Sequence, residues 1–179
     1  MGRQCSECGQ KSLVERLVPS YEVKTLGVPV ILLDAVTEIV CSHCNHRKVR
    51  LPRAEGLSKA VAMIRVLIPI KMTGDEIRFL RKTIRMTQAE FADQIIPGLN
   101  VSTLSRWEHD AQGMGGYSEM VMRQNVAALL AESVRCHDYN PKFAIGMRII
   151  VAPMPPISLR RVHHTELGQD VEAWEKAAA

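Results

Sequence analysis

Two Cys-x-x-Cys pairs place the strongest constraint on how this chain of 179 residues can fold. The four residues are Cys5, Cys8, Cys41 and Cys44. Two thiolates three positions apart on a tight turn can face one metal ion, and two such turns complete a tetrahedral shell of four sulfur atoms. Gly9 and Asn45, which directly follow the pairs, suit the turns that this arrangement requires. The spacing therefore predicts one structural Zn²⁺ ion held by all four cysteines.

Other uses of the cysteines lead to different predictions. The first dozen residues lack a secretory signal and no apolar run is long enough to span a membrane, so we expect a cytoplasmic, reducing compartment where disulfides are rare. A thiol oxidoreductase using Cys5 and Cys8 would leave the second pair unexplained. His43 and His46 lie beside the second pair and could replace a cysteine ligand. Cys136 is expected to be an ordinary side chain at the end of a helix.

Changes in the sequence pattern divide the chain into four segments and predict an α+β fold. Residues 1–52 contain β-branched, partly alternating runs, which predict a small β module around the zinc ion. Residues 53–73 predict a helical connector between Pro52 and Pro69, and residues 74–135 predict a compact helical bundle. Residues 136–179 form a C-terminal extension of unknown role.

The connector has the pattern of an amphipathic helix. Its apolar residues recur every three or four positions, at Leu57, Val61, Ile64 and Leu67. Lys59 and Arg65 are expected to form a basic outer face.

Helix-capping signals divide the third segment into helices. Thr73 with Glu76, and Thr87 with Glu90, match the capping-box pattern. Asn100 can cap a third helix that runs to about residue 109, and a glycine-rich loop precedes a fourth helix at about 117–134.

Residues 86–110 predict two short helices joined by a turn. The side chains expected inside are Ala92, Ile95 and Leu99, with Val101, Leu104 and Trp107 turned at least partly toward the core. Ser102, Thr103 and Arg106 would then share the outer face of the second helix. A short helix that begins with small polar residues and carries a long Arg one turn later can enter a major groove by its N-terminal end.

The C-terminal extension has a weaker pattern. Residues 143–151 and 157–163 predict two strands separated by a proline-rich break, and residues 168–179 predict a short terminal helix. His163 and His164 are expected to be a solvated pair, because neighbouring residues of a strand face opposite sides.

The residues TQAEFA and NVSTLSRWE resemble the helix-turn-helix of the Cro/repressor (Xre) family. Because they follow two Cys-x-x-Cys pairs, residues 3–132 resemble the MqsA-type antitoxins with their YgiT-type zinc finger. The resemblance implies that the zinc module can bind a toxin. It also implies that the second module forms a homodimer and binds a palindromic operator in double-stranded DNA.

The resemblance implies roles for individual residues as well. An Asn and an Arg of the family's recognition helix contact bases; Arg106 has the Arg position and Ser102 stands in the Asn position. Thr87 and Gln88 match the helix cap and the phosphate contact of the preceding helix. Other positions near the DNA are Asn100, Val101 and Thr103. Asp110 stands where the family usually has Gly.

We therefore expect a sequence-specific repressor that regulates its own operon. It would act either as the antitoxin of a toxin–antitoxin pair or as a stand-alone host or prophage regulator. The net charge of +4, from 23 basic and 19 acidic residues, is too small to indicate DNA binding by itself. The sequence contains no recognisable Ser/His/Asp set, acid pair or phosphate loop, so we expect no enzyme activity.

Overall fold

The structure is a computed structural model that describes residues 4–51, 54–131, 133–134, 147–166 and 169–177. Its two longest strands form a bent hairpin. Strand β1 (Leu13–Val23) pairs antiparallel with strand β2 (Val30–Cys41). The register shifts where Pro19 of β1 lies opposite Asp34 and Ala35 of β2. A β-bulge of this kind tolerates a proline, which has no N–H for the ladder, and it bends the strands.

Five helices and three further strands complete the described elements. The helices are α1 (Ala54–Leu67), α2 (Gly74–Thr83), α3 (Gln88–Gln94), α4 (Val101–Glu108) and α5 (Gly116–Ala131). The strands are β3 (Arg47–Arg50), β4 (Ile157–Glu166) and β5 (Gln169–Lys176). The fold is therefore mixed α/β, with an N-terminal sheet and a helical region. Among the described helices, none has both the length and the apolar character needed to cross a membrane.

The C-terminal strands belong to the same sheet as the N-terminal hairpin, in the order β1-β2-β4-β5. Strand β4 runs parallel to the first part of β2, beginning with the pair Val30 and Ile157. Strand β3 pairs with the last part of β2, from Thr37 to Val40. The two strands thus share one edge of β2, and residues more than 120 positions apart in the sequence complete the sheet.

The predicted terminal helix is wrong, because Gln169–Lys176 forms β5. Hydrogen bonds to β4 and burial of Trp174, which is only 3% exposed, favour the strand over a helix. The predicted strand at 157–163 is confirmed within β4. The other predicted strand, residues 143–151, is not formed in its described part. Residues 147–149 and 151 lie outside any strand, and Ile150 makes one isolated bridge to Ile70. Residues 143–146 lie outside the described residues.

Helix α1 lies in the core, and of the two cations predicted on its outer face only Lys59 is partly exposed. Leu57, Val61 and Ile64 are buried as predicted, but Ala62 and Met63 are completely buried too. The expectation for Arg65 is wrong, since its side chain is 0% exposed. The helix packs against α2, α5 and β5, so these elements bury more of its surface than the apolar stripe alone.

A buried ionic network explains how the interior accommodates Arg65. Its guanidinium donates to Glu76 Oε1 at 2.6 Å and Oε2 at 2.9 Å, and Arg123 donates to Glu119 Oε1 at 2.7 Å. Both arginines also donate to backbone carbonyls of the segment after α1, including that of Ile70. Pro69 ends the helix there, so these carbonyls lack helical partners and the guanidinium groups satisfy them.

The predicted helix caps are confirmed. Thr73 with Glu76, and Thr87 with Glu90, form complete capping boxes at the starts of α2 and α3. Asn100 Oδ1 accepts the Ser102 N–H at 2.9 Å at the start of α4. These contacts join residues two or three positions apart, which is why the sequence could indicate them.

We expect Gly74→Ala to destabilise the fold by about 1–3 kcal/mol. A Cβ on this first residue of α2 would lie 2.5 Å from the carbonyl oxygen of Trp107 and 2.7 Å from that of Glu108. Because backbone atoms cannot move aside like a flexible side chain, α2 and α4 would have to separate. Urea unfolding measures the effect. Gly113→Ala is the control, since a Cβ there meets nothing within 4 Å, and equal stability of both variants would contradict this packing.

Candidate metal centre and candidate nucleic-acid interface

Two similar backbone turns position the four cysteines. In the first, the Gly9 N–H donates to the carbonyl of Cys5 at 3.0 Å; in the second, the Asn45 N–H donates to that of Cys41 at 2.9 Å. Gly9 has φ +71° and Asn45 has φ +57°, the left-handed conformation that glycine and asparagine adopt most readily. The turns expected from the sequence are therefore present after both cysteine pairs.

The hairpin brings the two turns together, and their four sulfur atoms form one group. Cys5 Sγ lies 3.6 Å from Cys44 Sγ, and Cys8 Sγ lies 3.6 Å from Cys41 Sγ. All four sulfur atoms lie within 4.8 Å of one another, and no disulfide joins them. In a tetrahedral shell with metal–sulfur bonds of about 2.3 Å, sulfur atoms are about 3.8 Å apart. The four cysteines could thus bind one metal ion.

The electrostatics of the group favour a bound cation. The Ser12 hydroxyl, 3.5 Å from Cys41 Sγ, and the backbone N–H groups of Cys44 and His43 lower the pKa of Cys41 to about 5. The backbone N–H of His46 lowers the pKa of Cys44, but desolvation and the neighbouring thiols raise it to about 12. One thiolate thus forms readily and opposes the next, and a divalent cation would remove this repulsion.

The neighbouring histidines are not members of this group. Its ligand atoms come from the four cysteines alone among the residues described. His43 is exposed, and His46 Nδ1 lies 3.9 Å from a carboxylate oxygen of Glu7. Cys136 and its predicted role lie outside the described residues. A metal with four sulfur ligands has no open coordination position, so this arrangement suits stabilisation rather than catalysis.

The second candidate site is the outer face of α4. Asn100, Ser102 and Arg106 are exposed and Thr103 is half-buried, so the predicted outer residues do share the solvent side. On the opposite side, the predicted core residues Leu104 and Trp107 are 0% and 5% exposed.

Val101, which its spacing predicts to turn at least partly toward the core, is much more exposed than Leu104 and Trp107. It is 40% exposed at the first position of α4, beside the Asn100 cap. Only side chains from the second turn onward reach the apolar interior, because the helix begins at the protein surface. Val101 therefore belongs to the exposed face with its polar neighbours.

A buried carboxylate holds α3 and α4 to α2, and no sequence pattern indicated it. Glu108, the last residue of α4, accepts from Arg81 at 2.6 and 3.0 Å and from the Gln88 amide at 2.8 Å. Arg78 donates to the Glu108 carbonyl oxygen at 2.7 Å. Burial would raise the pKa of Glu108, but the contacts with Arg81 and Gln88 and the nearby Arg78 charge lower it. Glu108 is therefore held as a carboxylate.

Asp110 stands at the position where the family usually has glycine, and it adopts the left-handed backbone conformation that glycine favours. Its φ of +53° is left-handed, which an aspartate tolerates better than most side chains. The carboxylate accepts the Gly74 N–H at 2.7 Å, at the N-terminus of α2. This contact places a negative charge where the helix dipole favours it, and it joins the end of α4 to the start of α2.

Comparison of the chain with protein-family models, curated proteins and solved structures found no match. The resemblance to the Xre and MqsA-type families therefore remains an interpretation of the motifs. The toxin partner, the palindromic operator and the homodimer that it implies stay predictions.

Proposed function

We propose that this protein is a sequence-specific DNA-binding repressor that acts as a homodimer and places α4 in the major groove. The division of α4 into two faces carries the proposal. Leu104 and Trp107 fix the helix to the core, whereas Ser102 in the first turn and Arg106 one turn later face solvent. A recognition helix needs both properties, because the reading side chains must reach base edges from a rigid support.

The exposed side chains suit distinct contacts with DNA. The Arg106 guanidinium can donate to both O6 and N7 of guanine. The Ser102 hydroxyl donates to Asn100 Oδ1 at 2.8 Å, so its oxygen can still accept from a base or a water molecule. Asn100 and Thr103, at the start of α4, can contact the phosphate backbone, because helix N-termini favour anions. Val101 offers an apolar contact, for example to a thymine methyl group.

The start of α3 offers a second backbone contact. Gln88 Nε2 gives one of its two hydrogens to Glu108, which leaves the other for a phosphate oxygen. Because Glu108 also ends α4, this hydrogen bond fixes the position of Gln88 relative to the reading helix. Thr87 caps α3 beside it.

The cysteine group supports Zn²⁺ as the cofactor, with a structural role. Four thiolates in a tetrahedral arrangement select zinc or iron–sulfur chemistry rather than hard cations such as Mg²⁺. The group lies where the ends of the hairpin meet, at Cys5 before β1 and Cys41 at the end of β2. Zinc would hold these ends together, where the exposed side chains of β3 provide little apolar packing.

We expect Arg106→Ala to weaken specific DNA binding by about 1–3 kcal/mol while leaving the fold intact. Binding is measured at fixed salt to duplexes selected from a random library and to the region upstream of the gene. Arg106→Lys should keep the electrostatic attraction to phosphate but lose the bidentate hydrogen bonds to guanine. The protein should therefore show a weaker sequence preference.

Arg47→Ala is the matched control, since Arg47 is an exposed arginine on β3 that faces Glu38. It should bind the selected duplex as tightly as the unaltered protein. Failure of the library to yield any preferred sequence, or equal binding by both alanine variants, would contradict the proposal. Sedimentation of the complex gives the number of chains per duplex and so tests the homodimer.

A further inference from the structure

A cavity of about 430 Å³ lies between the turn of the long hairpin and α2. Thr25, Leu26 and Gly27 of the turn form one wall, and Ser58 of α1 contributes to another. Gly27 has φ +70°, and a Cβ there would lie 3.2 Å from the Asp75 carbonyl oxygen, so the turn approaches α2 closely. The volume falls within the range of small-molecule sites, about 300–1,000 Å³.

One face of α2 and the residues just after it form the charged wall. The lining residues recur every three or four positions: Asp75, Arg78, Phe79, Lys82, Thr83 and, beyond the helix, Arg85. Three cations and one carboxylate leave the cavity with a net charge of +2. Phe79 and Leu26 add apolar surface. Such a lining suits an anion attached to an organic group.

The cations differ in how firmly they are held. Arg78 is fixed, because it donates to the Glu108 carbonyl at 2.7 Å and to Asp75 Oδ1 at 3.3 Å. Its side chain is 32% exposed, so it contributes positive potential while remaining partly accessible. Lys82 is exposed and forms no ion pair with the part of the chain that the structure describes, so its ammonium can move to meet a ligand.

We propose that this cavity binds a phosphate-bearing small molecule no larger than about a nucleoside monophosphate, with Lys82 contacting the phosphate. A phosphate group carries nearly two negative charges at neutral pH, which suits a lining that has more cations than carboxylates. Leu26 and Phe79 would contact the organic part. The cavity is separate from the four cysteines, since the eleven residues of β1 extend about 30 Å from the cysteine end to the turn.

Calorimetric titration of the purified full chain with adenosine 5′-monophosphate, inorganic phosphate and adenosine tests the proposal. We expect at least one phosphate-bearing probe to bind saturably, and adenosine not to bind. Lys82→Gln should weaken the binding about tenfold, because a charged hydrogen bond is lost. Lys82→Arg, which keeps the charge, should bind much like the unaltered chain.

Lys11→Gln is the matched control, since it removes the charge of an exposed lysine near the cysteine end. It should leave the affinity unchanged. No saturable binding of either phosphate probe would overturn the proposal, as would equal weakening by Lys82→Gln and Lys11→Gln. If Lys82→Gln weakens DNA binding while neither probe binds, the cations serve the DNA backbone and the small-molecule site is wrong. Because the titration contains no DNA, its result is independent of the proposed repressor function.

Discussion

Cys41→Ser is expected to abolish metal binding and to lower the melting temperature by on the order of 6–12 °C or more. Cys41 is completely buried at the end of β2, and its sulfur lies 3.6 Å from that of Cys8. Structural zinc contributes about 10–16 kcal/mol in small zinc-binding peptides, so even a fraction of that energy would shift the melting temperature by this amount. Elemental analysis and thermal unfolding measure the two effects.

The fifth cysteine supplies the control for this experiment. Cys136→Ser makes the same chemical change at a residue that the sequence predicts is not a ligand, so one equivalent of metal should remain. The unaltered protein is expected to contain zinc when purified without added metal. Retention of a full equivalent by Cys41→Ser, with unchanged melting, would show that the four sulfur atoms do not form a metal site.

Arg65→Met is expected to cost about 3–5 kcal/mol of folding free energy. The substitution keeps most of the apolar stem but leaves the Glu76 carboxylate, 3% exposed, without its guanidinium partner. It also removes donors from the carbonyl groups of Ile68 and Ile70. A loss of this size is a large part of the 5–15 kcal/mol that stabilises a typical domain. Urea unfolding of the purified variant measures it.

Arg160→Met is the matched control, because Arg160 pairs with Glu175 at 3.2 Å with its side chain 60% exposed. That substitution should cost about 0–1 kcal/mol. The double variant Arg65→Met/Glu76→Met should be less destabilised than the sum of its single changes, since removing both partners leaves no buried unpaired charge. Additive costs, or equal effects of Arg65→Met and Arg160→Met, would show that the buried pair is not coupled.

Signals that act over a few residues could be interpreted from the sequence. The capping residues Thr73, Thr87 and Asn100 bond to groups two or three positions away, and all three begin helices as predicted. The cysteine pairs behave similarly, because each turn closes on itself and the metal-binding chemistry of thiolates is intrinsic to the residue type. Gly9 and Asn45 then take the backbone conformation that their small or polar side chains allow.

Contacts between segments that are distant in the sequence determined two features that no local pattern indicated, strand β5 and the burial of Arg65. Residues 169–176 have no strong strand pattern and form β5 because β4 offers hydrogen-bond partners and α1 covers Trp174. Arg65 carries a charge that normally stays in water, yet Glu76 and backbone carbonyls compensate it inside the core.

The candidate DNA-binding face likewise combines local features, which the sequence indicated, with contacts that only the packing of the helices creates. Spacing alone predicted that Ser102 and Arg106 share the outer side of a helix, because helical periodicity is a local property. That Gln88 and Arg81 converge on Glu108 depends on how three helices pack together. The sequence thus determined the chemical groups and their local turns and helices, whereas the tertiary structure decided which charges are buried and paired, since pairing depends on distances through space.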